Sequence, residues 1–186
     1  MGDSFGNILI LNGLTKARTK FLAHADSINQ IRISKDNMLA ACASADNTVS
    51  VWNLNKITLV KTYTGHTNDV LCVEFLDAKN IASGSVDKTI QIWEITSGKT
   101  IKTLKSSQWV TSLLLLPTGL LMSGDLIGTL NAWDIKAGAI RYTVANSHRG
   151  SVNALAIINE TQVASGGNDF KGCCYFCNNK KKKRKT

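Results

Sequence analysis

The stretch "ASGSVDKTIQIW", residues 82–93, places a small polar turn directly before an alternating apolar strand that ends in tryptophan. Ile90 and Ile92 alternate with polar residues, and such alternation is typical of a short β-strand. Other runs of β-branched and aliphatic residues, such as "VLCVEF", "NIASG" and "KTIKTL", lie nearby and are separated by polar turns. This part of the sequence is therefore predicted to form consecutive strands.

The stretch recurs along the chain at a near-constant spacing, which is the mark of a repeat architecture. Tryptophans and one tyrosine stand at the end of successive copies, at Trp52, Trp93, Trp133 and Tyr175. Histidines recur in the same register, at His24, His66 and His148. Each period holds four short strands, which is typical of a propeller blade that buries both faces against its neighbours.

The period resembles the WD40 repeat in three respects. A Gly-His pair stands at Gly65 and His66, an aspartate (Asp87) lies in the later turn, and the next strand ends in Trp-Asp or a variant of it. The strand endings are Trp52-Asn53, Trp93-Glu94 and Trp133-Asp134. The three near-regular copies make this resemblance far more specific than a single motif.

The resemblance implies an all-β fold, a WD40-type β-propeller with about four four-stranded blades and a partial blade. The predicted WD40 region spans residues 1–177, with a partial blade at 1–12 and repeats at about 18–53, 58–94, 100–134 and 140–176, and a basic tail follows at 178–186. Since the family usually closes rings of about seven blades, an incomplete ring is expected within this chain. Missing blades, a partner chain or self-association would then cover the open ends.

The resemblance also implies a structural hydrogen-bond network in each repeat. The best-kept copy has His66, Ser83, Asp87 and Trp93; the first has His24, Asp46 and Trp52 with Cys42 at the serine position; the fourth has His148, Ser165 and Asp169 with Tyr175 for tryptophan. The third copy replaces the histidine and aspartate by Ser106 and Ile127. The same residue types make up a hydrolase triad, but a catalytic unit has no need to recur in every repeat. No catalytic residue is therefore predicted.

A binding surface is expected on the top face of the propeller, again by resemblance. The implied positions flank the first strand of each blade (Ser27 and Asn29, Asp69 and Leu71, Trp109 and Thr111, Ser151 and Asn153) or precede the turn aspartate (Ala45, Val86, Leu126 and Asn168). Trp109 stands out because it lies outside the repeated tryptophan position, and large aromatic residues are frequent interface anchors. Its alternative role is to fill the gap left by the altered third repeat.

Charge is concentrated at the end of the chain. The net charge is +9, but six of the 22 basic residues form the run Lys180, Lys181, Lys182, Lys183, Arg184 and Lys185. The run resembles a nuclear import signal, and such runs also bind nucleic acid without sequence preference. We expect an intracellular protein, nuclear or cytoplasmic, with the nucleus favoured by this tail.

Cysteine usage and hydropathy narrow the remaining function classes. The five cysteines (Cys42, Cys72, Cys173, Cys174 and Cys177) form no regular disulfide framework, which indicates a reducing compartment. The last three lack the second ligand pair of a zinc site, and neither a metal nor another cofactor is predicted. No apolar run approaches the ~20 residues of a membrane span, so no membrane partner is expected.

These patterns favour a noncatalytic scaffold that binds proteins or peptides within a multiprotein complex. The alternative from another class is a nuclear RNA-associated assembly factor that uses the basic tail. A hydrolase using His66 and Ser83 is the remote alternative.

Overall fold

The computed structural model describes residues 1–160, 162–169 and 172–176, the last five by their backbone alone. The described chain forms 17 strands in five antiparallel sheets. An N-terminal sheet contains β1 (Asn7–Leu11) and β2 (Arg18–Leu22). Within the described ranges no helix has the length and hydropathy of a membrane span.

Four further sheets follow and are named blades 1 to 4. Blade 1 contains β3 (Ile28–Ile33), β4 (Leu39–Ser44), β5 (Val49–Asn53) and β6 (Thr58–Tyr63). Blade 2 contains β7 (Val70–Phe75), β8 (Asn80–Ser85), β9 (Thr89–Glu94) and β10 (Thr100–Lys105). Blade 3 contains β11 (Val110–Leu115), β12 (Leu121–Asp125), β13 (Leu130–Asp134) and β14 (Ala139–Val144). Blade 4 contains β15 (Val152–Asn159), β16 (Gln162–Gly167) and β17 (Gly172–Phe176).

The predicted propeller class is confirmed, and its sheets are offset by one strand from the sequence repeats. The strand at the start of each predicted repeat completes the sheet before it: β2 pairs with β1, and β6 pairs with β5. Three blades therefore have four strands, blade 4 has three described strands, and the N-terminal sheet has two. Each sheet is a meander of consecutive strands joined by hairpins. The predicted repeats begin one strand earlier, with the last strand of the preceding sheet.

The core lies between the sheets rather than in one central cluster. One cluster joins blades 1 and 2 and includes Val51, Val70 and Trp93. A second joins blades 2 and 3, and a third joins blades 3 and 4. Each interior blade buries both faces, which explains why its second and third strands read as nearly continuous apolar and small residues.

The turn between the second and third strands has the same backbone geometry in blades 1 to 3, and the turn before β1 shares it. Gly6, Asn47, Lys88 and Gly128 all have positive φ, at 76°, 68°, 66° and 88°. A Cβ on Gly128 would also lie 2.0 Å from the His148 carbonyl oxygen, so this turn packs directly on the next blade. Glycine and asparagine adopt this conformation at little cost, which accounts for their use at three of the four positions.

Candidate functional site

The polar residues of blade 2 form one continuous hydrogen-bonded chain. Asp87 Oδ2 lies 2.7 Å from His66 Nδ1, and His66 Nε2 lies 2.7 Å from Ser83 Oγ. The Trp93 indole N–H donates to the same serine oxygen at 2.7 Å. These partners fit a neutral imidazole that donates from Nδ1 to the carboxylate and accepts the serine hydroxyl at Nε2. The chain ties the third strand to the loop before the blade.

Burial decides what this arrangement can do chemically. Ser83 is 0% exposed, so no substrate reaches its hydroxyl in this structure. Burial lowers the pKa of the His66 imidazole, although the Asp87 carboxylate acts in the opposite direction. Burial alone would raise the pKa of the Asp87 carboxyl, but hydrogen bonds from Thr89 and His66 leave it below its usual value. The network therefore gives the buried polar groups of Ser83, His66 and Asp87 their hydrogen-bond partners.

Blade 1 builds the same chain with a serine that the sequence analysis missed. His24 Nδ1 lies 2.9 Å from Asp46 Oδ2, as in blade 2. Cys42 occupies the aligned serine position, but His24 Nε2 lies 2.7 Å from Ser50 Oγ, and the Trp52 indole donates to Ser50 at 2.8 Å. Ser50 supplies the hydroxyl from the strand of the tryptophan itself, two residues before it. A polar residue recurs at this position in blades 2 and 3, and that was the available signal.

Blade 4 retains the histidine part of the network. His148 Nδ1 lies 2.8 Å from Asp169 Oδ1, and His148 Nε2 lies 2.8 Å from Ser165 Oγ. The side chain of Tyr175 lies outside the described residues, as do the side chains of Cys173, Cys174 and Cys177 and the whole basic tail. Among the described side chains no cluster of histidine, cysteine or acidic residues could hold a metal ion.

Blade 3 stabilises its turn with another residue. The Trp133 indole donates to Ser123 Oγ at 2.9 Å. Ile127 replaces the turn aspartate and is exposed, while the buried Asp125 accepts the N–H groups of Ile127 and Thr129 at 3.1 and 2.8 Å. Asp125 thus caps the turn from two residues upstream, with no histidine partner.

The two sets of predicted top-face residues are neighbours in every blade. The N–H of the residue before the turn position donates to the carbonyl oxygen of the residue before the first strand, at 3.0 to 3.2 Å. The pairs are Ala45 with Ser27, Val86 with Asp69, Leu126 with Trp109, and Asn168 with Ser151. The sequence analysis placed these residues on one face without pairing them, and the structure brings them together.

A β-bulge lies beside each of these pairs. The register of the first strand shifts around Asn29, Leu71, Thr111 and Asn153. Such an extra residue re-aims a side chain without ending the strand. Two of these four residues make a hydrogen bond to the next blade. Asn29 donates to Val70 O at 2.9 Å, and Thr111 donates to Val152 O at 2.7 Å. Asn153 donates to the Asn168 side chain within its own blade.

Trp109 is the large aromatic residue at this face. It is 38% exposed, in contrast to the repeated tryptophans Trp93 and Trp133, which are 3% and 2% exposed. Its partner Leu126 also lines a pocket of about 550 Å³ between blades 3 and 4, together with Ile127, Asn146, His148, Arg149 and Gly150. Blade 3 therefore presents an exposed indole next to a concave, partly apolar surface.

Comparison with known proteins supports the fold and the repeat. The model of the WD40 family (WD domain, G-beta repeat) matches residues 15–53 and 57–94. The solved structure of U3-55K superposes with a TM-score of 0.87 at 19% sequence identity, and the match covers 98% of this chain and 59% of that chain. This likeness shows a shared fold.

Two curated relatives are similar over most of this chain. One is target of rapamycin complex subunit wat1 of Schizosaccharomyces pombe, 27% identical, with 84% of this chain and 51% of that protein covered. The other is U3 small nucleolar RNA-associated protein 15 homolog of Xenopus tropicalis, 26% identical, with 86% and 31% covered. The chain thus spans about half or less of the length of these relatives. The repeated His–Asp geometry and the matching family model show that the chain contains WD40 repeats.

Proposed function

We propose that this chain is a noncatalytic scaffold that binds a protein or peptide on its top face, where the residues of the two predicted sets are paired. The carrying observation is the half-exposed Trp109, hydrogen-bonded through its carbonyl to Leu126 at the edge of a pocket. WD40 propellers bind other proteins, and a relative is named as a subunit of the target of rapamycin complex. Both facts support a role within a multiprotein complex.

The top face is rigid, as a binding surface should be. Four blades repeat the same rigid backbone pair, so the exposed side chains have fixed positions and little conformational entropy is lost when a partner binds. Asp69, Leu71 and Val86 of blade 2 and Asn153 of blade 4 add polar and apolar side chains at the equivalent positions of their blades. An aromatic side chain next to a concave apolar surface is typical of the centre of an interface.

The hydrolase alternative has little support. The blade 2 histidine, serine and aspartate have the distances of a triad, but the serine oxygen is enclosed and already accepts the Trp93 N–H. A nucleophile must reach its substrate, and Ser83 does not. We therefore propose a structural role for His66, Ser83 and Asp87.

Replacement of Trp109 tests the binding proposal. Trp109→Ala is expected to weaken partner capture at least 10-fold, since anchor residues contribute upward of ~2 kcal/mol, while the unfolding midpoint changes little. Partner binding would be measured by affinity capture and titration of the full chain, and stability by urea unfolding. Leu14→Ala is the control because Leu14 is 95% exposed in the β1–β2 turn, at the other end of its sheet. If Trp109→Ala unfolds the chain, or leaves capture unchanged, the anchor role is wrong.

A second candidate function is RNA association in the nucleus. The observation that favours it is the similarity to a U3 small nucleolar RNA-associated protein, together with the run of six basic residues at 180–185. The tail would contact phosphates and serve as an import signal, while the blades bind protein. The described blades supply no alternating aromatic and basic surface of the kind that stacks single-stranded bases.

Salt dependence tests this candidate. Binding of the full chain to single-stranded RNA is expected to fall steeply with salt, with a logarithmic slope of up to about −4 if all six basic residues contact phosphates. Deletion of residues 180–185 should remove this binding and leave capture of the protein partner intact. RNA binding that survives the deletion with the same slope would place the contacts elsewhere.

A further inference from the structure

The loop that leads into blade 4 differs in charge from the equivalent loops of the other blades. The residue after the network histidine is Ala25 in blade 1 and Thr67 in blade 2, and the aligned residue of blade 3 is Ser107. Blade 4 has Arg149 at this position, and it is exposed. Among the described residues its guanidinium forms no ion pair with a carboxylate. The loop therefore presents a cation at the top face.

Hydrogen bonds fix the backbone that carries this arginine. The Arg149 N–H donates to Asp169 Oδ2 at 3.1 Å, and the neighbouring His148 Nδ1 lies 2.8 Å from Asp169 Oδ1. The N–H groups of Ser147 and His148 donate to Gly128 O at 2.8 and 3.3 Å. These bonds tie the loop both to blade 4 and to the turn of blade 3. The network thus holds the arginine at one edge of the pocket between the two blades.

The turn of blade 3 forms the apolar wall of the same pocket. Ile127 stands where blades 1 and 2 have the network aspartates Asp46 and Asp87, and it is 55% exposed. The acidic residue of this turn, Asp125, is 2% exposed and accepts N–H groups within the turn. The lining residues are Leu126, Ile127, Asn146, His148, Arg149 and Gly150, and none of them is acidic. The pocket therefore combines an aliphatic wall with a cationic edge.

The N-terminal sheet has the same kind of turn in a different electrostatic setting. Asp3 accepts N–H groups within that turn, and Phe5, which is 77% exposed, takes the position of Ile127. The loop packed on this turn contains Ala25 and Asp26, so an acidic residue replaces the cation there. An exposed apolar turn residue thus occurs twice in the described chain, and it lies beside an arginine only between blades 3 and 4.

We propose that this pocket binds a peptide segment in which an aspartate or glutamate stands next to a large aliphatic residue. The carboxylate pairs with the Arg149 guanidinium, and the aliphatic side chain packs against Leu126 and Ile127. A bidentate pair of this kind fixes the direction of the peptide, while burial of the aliphatic group contributes affinity. The proposal rests on the peptide binding at the top face proposed above and adds the chemistry of the bound segment.

Charge favours a peptide over a nucleic acid in this pocket. A phosphate could also pair with Arg149, but the other wall of the pocket is aliphatic. The loops of blades 1 and 2 at the same face carry Asp26 and Asp69, which repel an extended polyanion. A short segment with one carboxylate avoids this repulsion because it covers only the pocket.

Selection from a random heptapeptide library displayed on phage tests the predicted chemistry. Peptides retained by the immobilised full chain should be enriched in aspartate or glutamate next to leucine, isoleucine, valine or methionine. The same selection on Arg149→Glu should instead enrich lysine and arginine, while the melting temperature stays unchanged because residue 149 is exposed. The proposal is wrong if no peptide is enriched, if acidic residues are not preferred, or if Arg149→Glu leaves the preference unchanged.

Titration of one selected peptide assigns the carboxylate to its partner. Replacing the acidic residue of the peptide by its amide should weaken binding to the parent chain about fivefold, the upper range for a solvent-exposed ion pair. Arg149→Gln should remove this difference. Arg141→Gln is the matched control, because Arg141 is exposed on β14 and does not line the pocket, and it should keep the full difference. An equal difference for the parent and Arg149→Gln would place the carboxylate elsewhere and contradict the proposal.

Two further results separate this proposal from the scaffold function. Selected peptides that lose affinity in Trp109→Ala but not in Arg149→Gln would leave the top face as the binding surface and overturn the acidic-peptide assignment. Single-stranded RNA that displaces the peptide from the parent chain but not from Arg149→Gln would assign the pocket to phosphate groups, and it would overturn the assignment as well.

Discussion

His66→Ala is expected to lower the free energy of unfolding by about 3–5 kcal/mol, the cost of removing one partner from a buried charged network. The histidine satisfies Asp87 through Nδ1 and Ser83 through Nε2, both at 2.7 Å. Without it the carboxylate loses a donor and the serine hydroxyl loses its acceptor inside the blade. Urea unfolding followed by tryptophan fluorescence would measure the change.

Ser106→Ala is the matched control for this prediction. Ser106 occupies the histidine position of the third repeat, and its hydroxyl accepts a long hydrogen bond from the Gln108 N–H, at 3.4 Å. We expect a loss below about 0.5 kcal/mol, the usual range for a substitution away from a buried network. Equal losses for the two variants, or a loss under ~1 kcal/mol for His66→Ala, would contradict the stabilising role of the network.

Gly84→Val is expected to destabilise the chain by about 3 kcal/mol, because it overpacks a closed junction. Its Cβ would lie 2.4 Å from Val110 Cγ1 and 2.7 Å from Cys72 Sγ, and both neighbours are 0% exposed. Blades 2 and 3 would have to separate by a fraction of an ångström along a whole sheet face. Thermal and urea unfolding of the full chain would measure the loss.

A double-mutant cycle separates overpacking from a change in strand propensity. Val110→Ala should be destabilising alone but should recover part of the stability lost in Gly84→Val, since it vacates the volume that the new side chain needs. Gly13→Val is the control, because an added Cβ at Gly13 meets no atom within 4 Å. Additive effects of Gly84→Val and Val110→Ala would show that the two residues do not compete for one space.

The fold was predictable because its signals are local and repeated. A strand of alternating apolar residues, a turn and a tryptophan recur in successive repeats, and a departure in a single copy does not hide the period. His24, His66 and His148 could be assigned to loops by alignment alone. Their aspartate partners could also be found, because Asp46, Asp87 and Asp169 lie at a near-constant distance from them along the chain.

Substitution within the network was less predictable. Alignment identified the loss of a serine at Cys42 but not its replacement by Ser50, which reaches the same histidine from the adjacent strand. It likewise marked Ile127 as a lost aspartate and did not assign the turn to Asp125. Aligned positions carry no information about atoms that approach from a neighbouring strand, and a hydrogen bond is satisfied by any group within reach.

The sequence by itself determined the all-β class, the blade period and the repeated histidine and aspartate positions, because these depend on residue types at fixed spacing. Tertiary structure decided which of the small residues of the second strands are packed against a β-branched residue of the next blade. Gly84, Gly124 and Gly166 are equivalent in the alignment, yet an added Cβ would lie within 3 Å of Val110 at the first and of Val152 at the second, while at the third the nearest described atom is Ala154 Cβ, at 3.9 Å. That difference depends on which sheet lies next to each glycine, and sheet-to-sheet packing brings together residues whose contact no spacing along one strand specifies.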